Sequence, residues 1–217
     1  LYTENLRTAK ATDTYKFATN GTITYQPRFT QHGFRYIEIS GVVTPPATND
    51  VQGVVLSSDL PDLGDLETSH PLLNKLVSNI RWGQRGNFLS IPTDTPARDE
   101  RLGWSGDINV FAPAAARYMD TRAFLTKWMS DVRDTQKVNG NIPAVVPQPL
   151  GQFDDTGVGW ADAVITVPYS VWKGFGDEQI LRANWNAMKT FYGFVSNSAA
   201  ADGDLVEQGR SSWFSGD

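Results

Sequence analysis

Apolar and polar residues alternate through the first part of the chain, and the period then changes. Tyr15, Phe17, Ile23 and Tyr25 alternate with polar neighbours on either side of Asn20-Gly21. That dipeptide is the strongest short hairpin signal, because a tight two-residue turn needs positive φ at its centre. A second alternating run, Phe34-Arg-Tyr36-Ile37-Glu-Ile39, ends at Gly41, and a third, Val51–Leu56, follows the Pro45-Pro46 turn. The pattern predicts antiparallel strands forming one end of a β-sandwich. Between Ser57 and Ser69 the alternation gives way to Asp, Gly and Pro. A domain boundary is expected there, dividing residues 1–60 from residues 61–217.

From Pro71 the period is helical. Leu72, Leu73, Leu76, Val77 and Ile80 recur at three- and four-residue spacing, with Ser69 as the expected N-cap. Further helices are predicted near 107–119, 121–136, 161–174 and 177–195. In the last, Leu181, Trp185, Met188 and Tyr192 define one apolar face, and Asp177 and Glu178 suit its first turn. Pro113 and Pro168 fall inside two of these helices, where proline costs about 3 kcal/mol or forces a kink. The segments 87–106, 137–160 and 196–217 read as loops, and each contains Trp, Asp or Glu. Loops on a rigid scaffold are where binding and catalytic residues concentrate.

Composition narrows the function. The 217 residues are 40% hydrophobic and 20% charged, enough apolar material for a true core. The net charge is −5 and no basic run exceeds two residues, which argues against a nucleic-acid partner. Cysteine is absent, so disulfides, thiolate nucleophiles and cysteine-ligated zinc are all excluded. The only histidines, His32 and His70, lie in the strand region and at a helix start. That placement disfavours a serine-hydrolase triad, and no ligand spacing suggests a metal. No cofactor is expected. No apolar stretch approaches the roughly 20 residues of a membrane span. Leu1 is not Met, and the chain stops in a polar and aromatic run, so a fragment of a longer protein is expected. Seven tryptophans supply core material and, on loops, platforms for sugar rings.

One stretch concentrates the chemistry. Asp94, Asp99, Glu100 and Asp107 place four carboxyl groups within fourteen residues, interleaved with Arg98 and Arg101. Thr95-Pro96, Gly103 and Gly106 shape its path. Glycosidic cleavage needs one carboxylic acid to protonate the leaving oxygen and a second carboxylate to activate water or attack the sugar. Crowded carboxylates raise one another's pKa, and neighbouring arginines act in the opposite direction. Residue types alone equally allow a solvated acidic loop with surface ion pairs, in which Asp107 merely caps a helix.

The run Asp94-Thr-Pro-Ala-Arg-Asp-Glu-Arg-Leu-Gly-Trp-Ser-Gly-Asp107 closely resembles the signature of glycoside hydrolase family 78, the α-L-rhamnosidases. Phe29-Thr-Gln-His32-Gly-Phe-Arg-Tyr-Ile-Glu38 is similar to the end of that family's β-sandwich, and Gly159-Trp160-Ala-Asp162 resembles a later barrel loop. The resemblance implies the C-terminal part of a β-sandwich followed by the first half of an (α/α)6 barrel. It implies hydrolysis of terminal α-L-rhamnose, with inversion, from a rhamnose-containing glycoside or oligosaccharide. Under it Glu100 is the general acid, Asp94 and Asp107 bind rhamnose hydroxyls, and Trp104, Trp160 and Trp213 line the sugar pocket. Thr95 stands where many relatives have Cys. Counting forward from Asp94 favours Asp99 as the acid; counting back from Asp107 favours Glu100, and Gly103-Trp-Ser-Gly-Asp107 anchors the helix entry more rigidly, so Glu100 is the expected acid and Asp99 the alternative. The general base comes from a late barrel loop in the family. Glu207 does not match that motif, so the base is expected outside this chain. Two alternatives remain: another (α/α)6-barrel glycosidase with a different sugar, and a non-catalytic carbohydrate-binding protein.

Overall fold

A computed structural model of the chain describes residues 1–149, 153 and 157–201. Among them are five α-helices: α1 (Pro71–Asn87), α2 (Ser105–Tyr118), α3 (Arg122–Thr135), α4 (Ala163–Phe175) and α5 (Glu178–Ala201). Two minimal strands, β1 (Phe88–Leu89) and β2 (Ile91–Pro92), pair antiparallel directly after α1.

Local chemistry sets the helix ends. Pro71 occupies the first turn of α1, where its missing N–H breaks no hydrogen bond. The N-cap is His70 rather than the expected Ser69, and it makes no side-chain capping bond. Thr68 and Asn74 close this entry instead. The Thr68 N–H donates to Asn74 Oδ1 at 2.9 Å, and Asn74 Nδ2 donates back to the Thr68 carbonyl at 2.8 Å. Helix α2 starts two residues earlier than expected, with Trp104 as N-cap, so Asp107 lies inside the first turn and is not the cap. Pro113 and Pro168 do sit within α2 and α4. Gly176, at φ 70°, ends α4 in the left-handed conformation, its N–H bonded to the Trp172 carbonyl at 2.7 Å. Asp177 Oδ1 accepts the Gln179 N–H at 2.9 Å at the start of α5. That helix continues to Ala201, past the expected end at 195.

The core lies where α4 packs against α2, α3 and α5. Leu125, Trp128, Val132, Val164 and Val167 are fully enclosed there. The Trp128 indole N–H donates to the Val146 carbonyl at 3.0 Å, so its burial strands no donor. The buried positions of α5 are Ile180, Asn184, Ala187, Met188 and Phe191. This corrects the expected face: Met188 is inside, but Trp185 and Tyr192 are 57% and 68% exposed. The cause is a partnered polar residue. Asn184 accepts from Arg133 Nη1 at 2.6 Å and donates to the Ile180 carbonyl at 2.7 Å. With both ends satisfied an amide can be buried, and the helix rotates accordingly. Leu72, Leu73 and Leu76 of α1 are likewise exposed.

The sandwich end expected in residues 1–60 is not confirmed. Their regular structure is two short 3-10 turns, Glu4–Leu6 and Thr48–Asp50, with no strand among the described residues. Ile23, Phe34, Tyr36, Ile39 and Val55 are exposed. A strand needs a ladder partner and a covered face, and this segment has neither. A trace of the hairpin survives, since the Tyr15 and Tyr25 rings meet at 4.9 Å across the Asn20-Gly21 turn. The segment is anchored to the helices nonetheless. Arg101 Nη1 donates to the Gln31 carbonyl at 2.8 Å, and Gly33 lies so close to Ala97 that a Cβ on it would stand 2.8 Å from the alanine methyl. The Ser58 N–H donates to the Phe88 carbonyl at 2.8 Å, and the Ser90 N–H to the Ser58 hydroxyl oxygen at 3.1 Å. No described helix is long and apolar enough to cross a membrane.

Candidate active site

The loop between β2 and α2 is closed on itself and then pinned from behind. The Asp94 N–H donates to the Leu102 carbonyl at 3.2 Å, and the Leu102 N–H donates to Asp94 Oδ1 at 3.1 Å. Arg101, at φ 51°, turns the chain back between them. The next loop then braces the start of α2. The Val146 N–H donates to the Gly103 carbonyl at 2.8 Å, and the Ser105 N–H and hydroxyl both reach the Ala144 carbonyl, at 2.8 Å and 3.0 Å. Gly103 is required by this approach: a Cβ would stand 2.0 Å from the Val146 carbonyl oxygen.

A cavity of about 390 Å³ opens between α1 and the start of α2. Asp94 and Asp107 both line it, together with Ile80, Gln84, Phe88 and Phe111. The Asp94 side chain is only 7% exposed, and burial raises its pKa above the ordinary carboxylate range. Its Oδ2 is buried without a hydrogen-bond partner among the described residues; the nearest cation, Arg98 Nη2, is 3.6 Å away. Asp107 is shifted upward too, first because protein atoms displace water from its carboxyl and then because Asp94 is negative. Water still reaches Asp107, which is exposed at the cavity mouth. Gln84 Oε1 is a second buried acceptor on the wall without a partner among the described residues. A cavity that combines unsatisfied acceptors with apolar lining suits a molecule that offers hydroxyl donors and a hydrocarbon face.

Glu100 and Asp99 are adjacent in sequence but differ in surroundings. Glu100 Oε2 accepts the Arg7 Nη1 N–H at 2.8 Å and forms an ion pair with Arg98, whose Nη2 is 2.6 Å away. Asp99 Oδ2 accepts the Thr8 hydroxyl at 2.5 Å and the Thr8 N–H at 3.3 Å. The hydroxyl bond holds the Asp99 carboxyl below the usual range.

Trp104 packs on Phe153 with ring centroids 5.0 Å apart, and its Nε1 is buried without a hydrogen-bond partner among the described residues. The Trp160 ring lies on the backbone of Gly106, where a Cβ would stand 2.4 Å from Nε1. Asn109 of α2 holds the Trp160 loop, its Nδ2 donating to the Gly159 carbonyl at 2.8 Å. Asp94, Asp107, Trp104 and Trp160 thus gather around the first turn of α2, and Glu100 sits on the loop that leads into it. Trp213 and Glu207 lie outside the described residues. The sequence reading missed Arg7, Thr8 and the α1 wall of the cavity. Arg7 is 93 positions from Glu100, and nothing local marks such a pairing. Among the described residues no group of three or more His, Asp or Glu side chains could hold a metal ion.

Comparison with known proteins gives a consistent picture. The model of the bacterial alpha-L-rhamnosidase 6 hairpin glycosidase domain matches residues 61–217, and that of the bacterial alpha-L-rhamnosidase concanavalin-like domain matches residues 1–57. An alpha-L-rhamnosidase of Streptomyces avermitilis is 54% identical over 181 residues, which are 83% of this chain and 18% of that protein. One from Formosa agariphila is 44% identical over 207 residues, 94% of this chain and 22% of that protein. The crystal structure of Streptomyces avermitilis alpha-L-rhamnosidase complexed with L-rhamnose superimposes with a TM-score of 0.87 at 49% identity, covering 91% of this chain and 19% of that one. The alpha-L-rhamnosidase of Dictyoglumus thermophilum gives 0.77 at 38% identity, covering 81% and 20%. The chain spans about a fifth of the length of these relatives.

Proposed function

The chain belongs to the bacterial alpha-L-rhamnosidase family, and from that premise we propose that, in a protein of its relatives' length, it supplies the general-acid half of a site that hydrolyses terminal α-L-rhamnosides with inversion. In this reading residues 1–60 close a β-sandwich whose partner strands lie elsewhere in the protein, and residues 61–217 open an (α/α)6 barrel. The substrate is a rhamnose-containing glycoside or oligosaccharide.

The observation that carries the proposal is the pair Asp94 and Asp107 on one cavity wall, with Glu100 on the loop between them. Rhamnose presents several hydroxyls and one methyl group. The two carboxyls accept hydroxyl protons, and charge-assisted bonds of this kind are about twice as strong as neutral ones. Trp104 and Trp160 supply walls against the ring's C–H face, and Trp213 is assigned the same role. Glu100 donates a proton to the glycosidic oxygen as the bond to the anomeric carbon breaks. Water attacks from the opposite face, activated by a base roughly 6.5–9.5 Å from the acid, as inversion requires. Glu100 is preferred over Asp99 because it stands seven residues before Asp107, the register in which the family signature carries its acid.

The test is turnover of an unactivated alkyl α-L-rhamnoside by a protein of full family length. Glu100→Gln is expected to lower kcat by roughly 10²–10⁴-fold, the usual contribution of a general acid, while Asp99→Asn retains most activity. Loss in Asp99→Asn with retention in Glu100→Gln would reverse the assignment. The 217-residue chain alone is expected to give no turnover.

A further inference from the structure

Two guanidinium groups meet on a single oxygen of Glu100, one from the same loop and one from a segment 93 positions away. Arg98 belongs to the acidic loop itself; Arg7 follows the first 3-10 turn, in the segment before the helices. We propose that Arg7 is a positioning residue for the proton donor, so that the N-terminal segment completes the acid machinery of the helical domain. The inference rests on the reading of Glu100 as the acid.

The geometry carries it in three steps. Arg7 Nη1 donates to Oε2 at 2.8 Å, and Arg98 Nη2 stands 2.6 Å from the same oxygen as an ion pair. Two cations at Oε2 draw the negative charge there, so a donated proton sits on Oε1. Arg7 and Arg98 therefore decide which oxygen faces the leaving group. When that proton departs, the charge left on Glu100 lies between two cations, which stabilises the transition state in proportion to proton transfer.

Arg7 is held for this task rather than free to swing away. Its backbone lies in the left-handed region at φ 56°, and its N–H bonds to the Glu4 carbonyl at 3.2 Å. The next residue, Thr8, is fixed to Asp99 through both its N–H and its hydroxyl. Two consecutive residues of the N-terminal segment thus grip two consecutive residues of the acid loop. Stability is a weak explanation for the arrangement. The Arg7 side chain is 52% exposed, and ion pairs of that kind contribute little to folding.

Leaving groups separate positioning from mere support. An alkyl rhamnoside needs full protonation of its leaving oxygen; a 2,4-dinitrophenyl rhamnoside needs almost none. In a protein of full family length, Arg7→Ala is expected to lower kcat on the alkyl substrate by roughly 10–100-fold and on the dinitrophenyl substrate by less than about threefold, with KM within twofold and an unchanged melting temperature. Arg7→Lys should recover part of the loss, since the contact is a single N–H. An equal loss on both substrates, or no loss on either, overturns the inference while a leaving-group-dependent loss in Glu100→Gln leaves the acid assignment standing. If Glu100→Gln itself loses activity equally on both substrates, the acid assignment fails and this inference with it. Should Arg7→Ala fold poorly, Arg7→Gln on the same two substrates decides between the same outcomes.

Discussion

The Trp160 indole rests directly on the Cα of Gly106, with no room for a side chain between them. Gly106 is the second residue of α2, and Asp107 follows it into the cavity wall. One contact therefore sets both the tilt of the Trp160 indole and the position of a carboxyl.

Two opposing effects meet in Gly106→Ala. Alanine in place of a helical glycine ordinarily gains about 1 kcal/mol. Here its methyl would stand 2.4–2.7 Å from three atoms of the indole, and overpacking of that kind costs about 1–3 kcal/mol. The steric cost is expected to win. Urea unfolding should show a net loss of up to about 2 kcal/mol, and affinity for L-rhamnose should fall because the indole or Asp107 must move. A stabilised variant that binds rhamnose normally would show that Trp160 does not depend on this contact.

Asp94 links the cavity to pH. Its folded pKa is raised by burial, so the folded state binds more protons than the unfolded chain between the unfolded value, about 3.9, and the raised one. Stability from this group therefore falls as pH rises through that window, and the full penalty is present at neutral pH. Asp107 is raised as well and acts in the same direction; Asp120, lowered chiefly by its Arg122 partner, acts in the opposite one. Asp94→Asn keeps an oxygen for the Leu102 N–H and removes the charge. It should be more stable than the parent at pH 7, with the difference closing toward pH 4, while binding rhamnose less tightly. Urea unfolding across that range checks the expectation, and a difference independent of pH would contradict it.

The legible parts of this molecule were those whose signals are local. The helices of residues 71–201 follow from apolar spacing, and even Pro113 and Pro168 did not hide α2 and α4. The acidic run stood out because its residues are consecutive, and the fold does bring Asp94 and Asp107 to one wall. What failed depended on partners distant in sequence. Trp185 was placed on the apolar face by its spacing from Leu181 and Met188, yet the neighbouring Asn184 takes the buried position through Arg133, 51 positions away. The alternation of residues 15–56 describes a face to be covered and cannot say what covers it. Arg7 was invisible for the same reason: an exposed arginine gains meaning only from the oxygen it meets.

Asp107 allows binding to be separated from folding. It is exposed on the first turn of α2 and makes no ion pair among the described residues, while it lines the same cavity as Asp94. Removing it forfeits a favourable charge at a helix N-terminus, worth about 0.3–1 kcal/mol, and relieves a repulsion with Asp94 of the opposite sign. Asp107→Ala should thus leave unfolding free energy within about 1 kcal/mol of the parent. A charged hydrogen bond to a sugar hydroxyl contributes about 1.5–3 kcal/mol, so rhamnose affinity should fall by roughly 10- to 150-fold. Calorimetric titration of L-rhamnose into a protein of full family length measures this directly. Unchanged affinity would remove Asp107 from the binding site and leave its raised pKa as a consequence of packing beside Asp94.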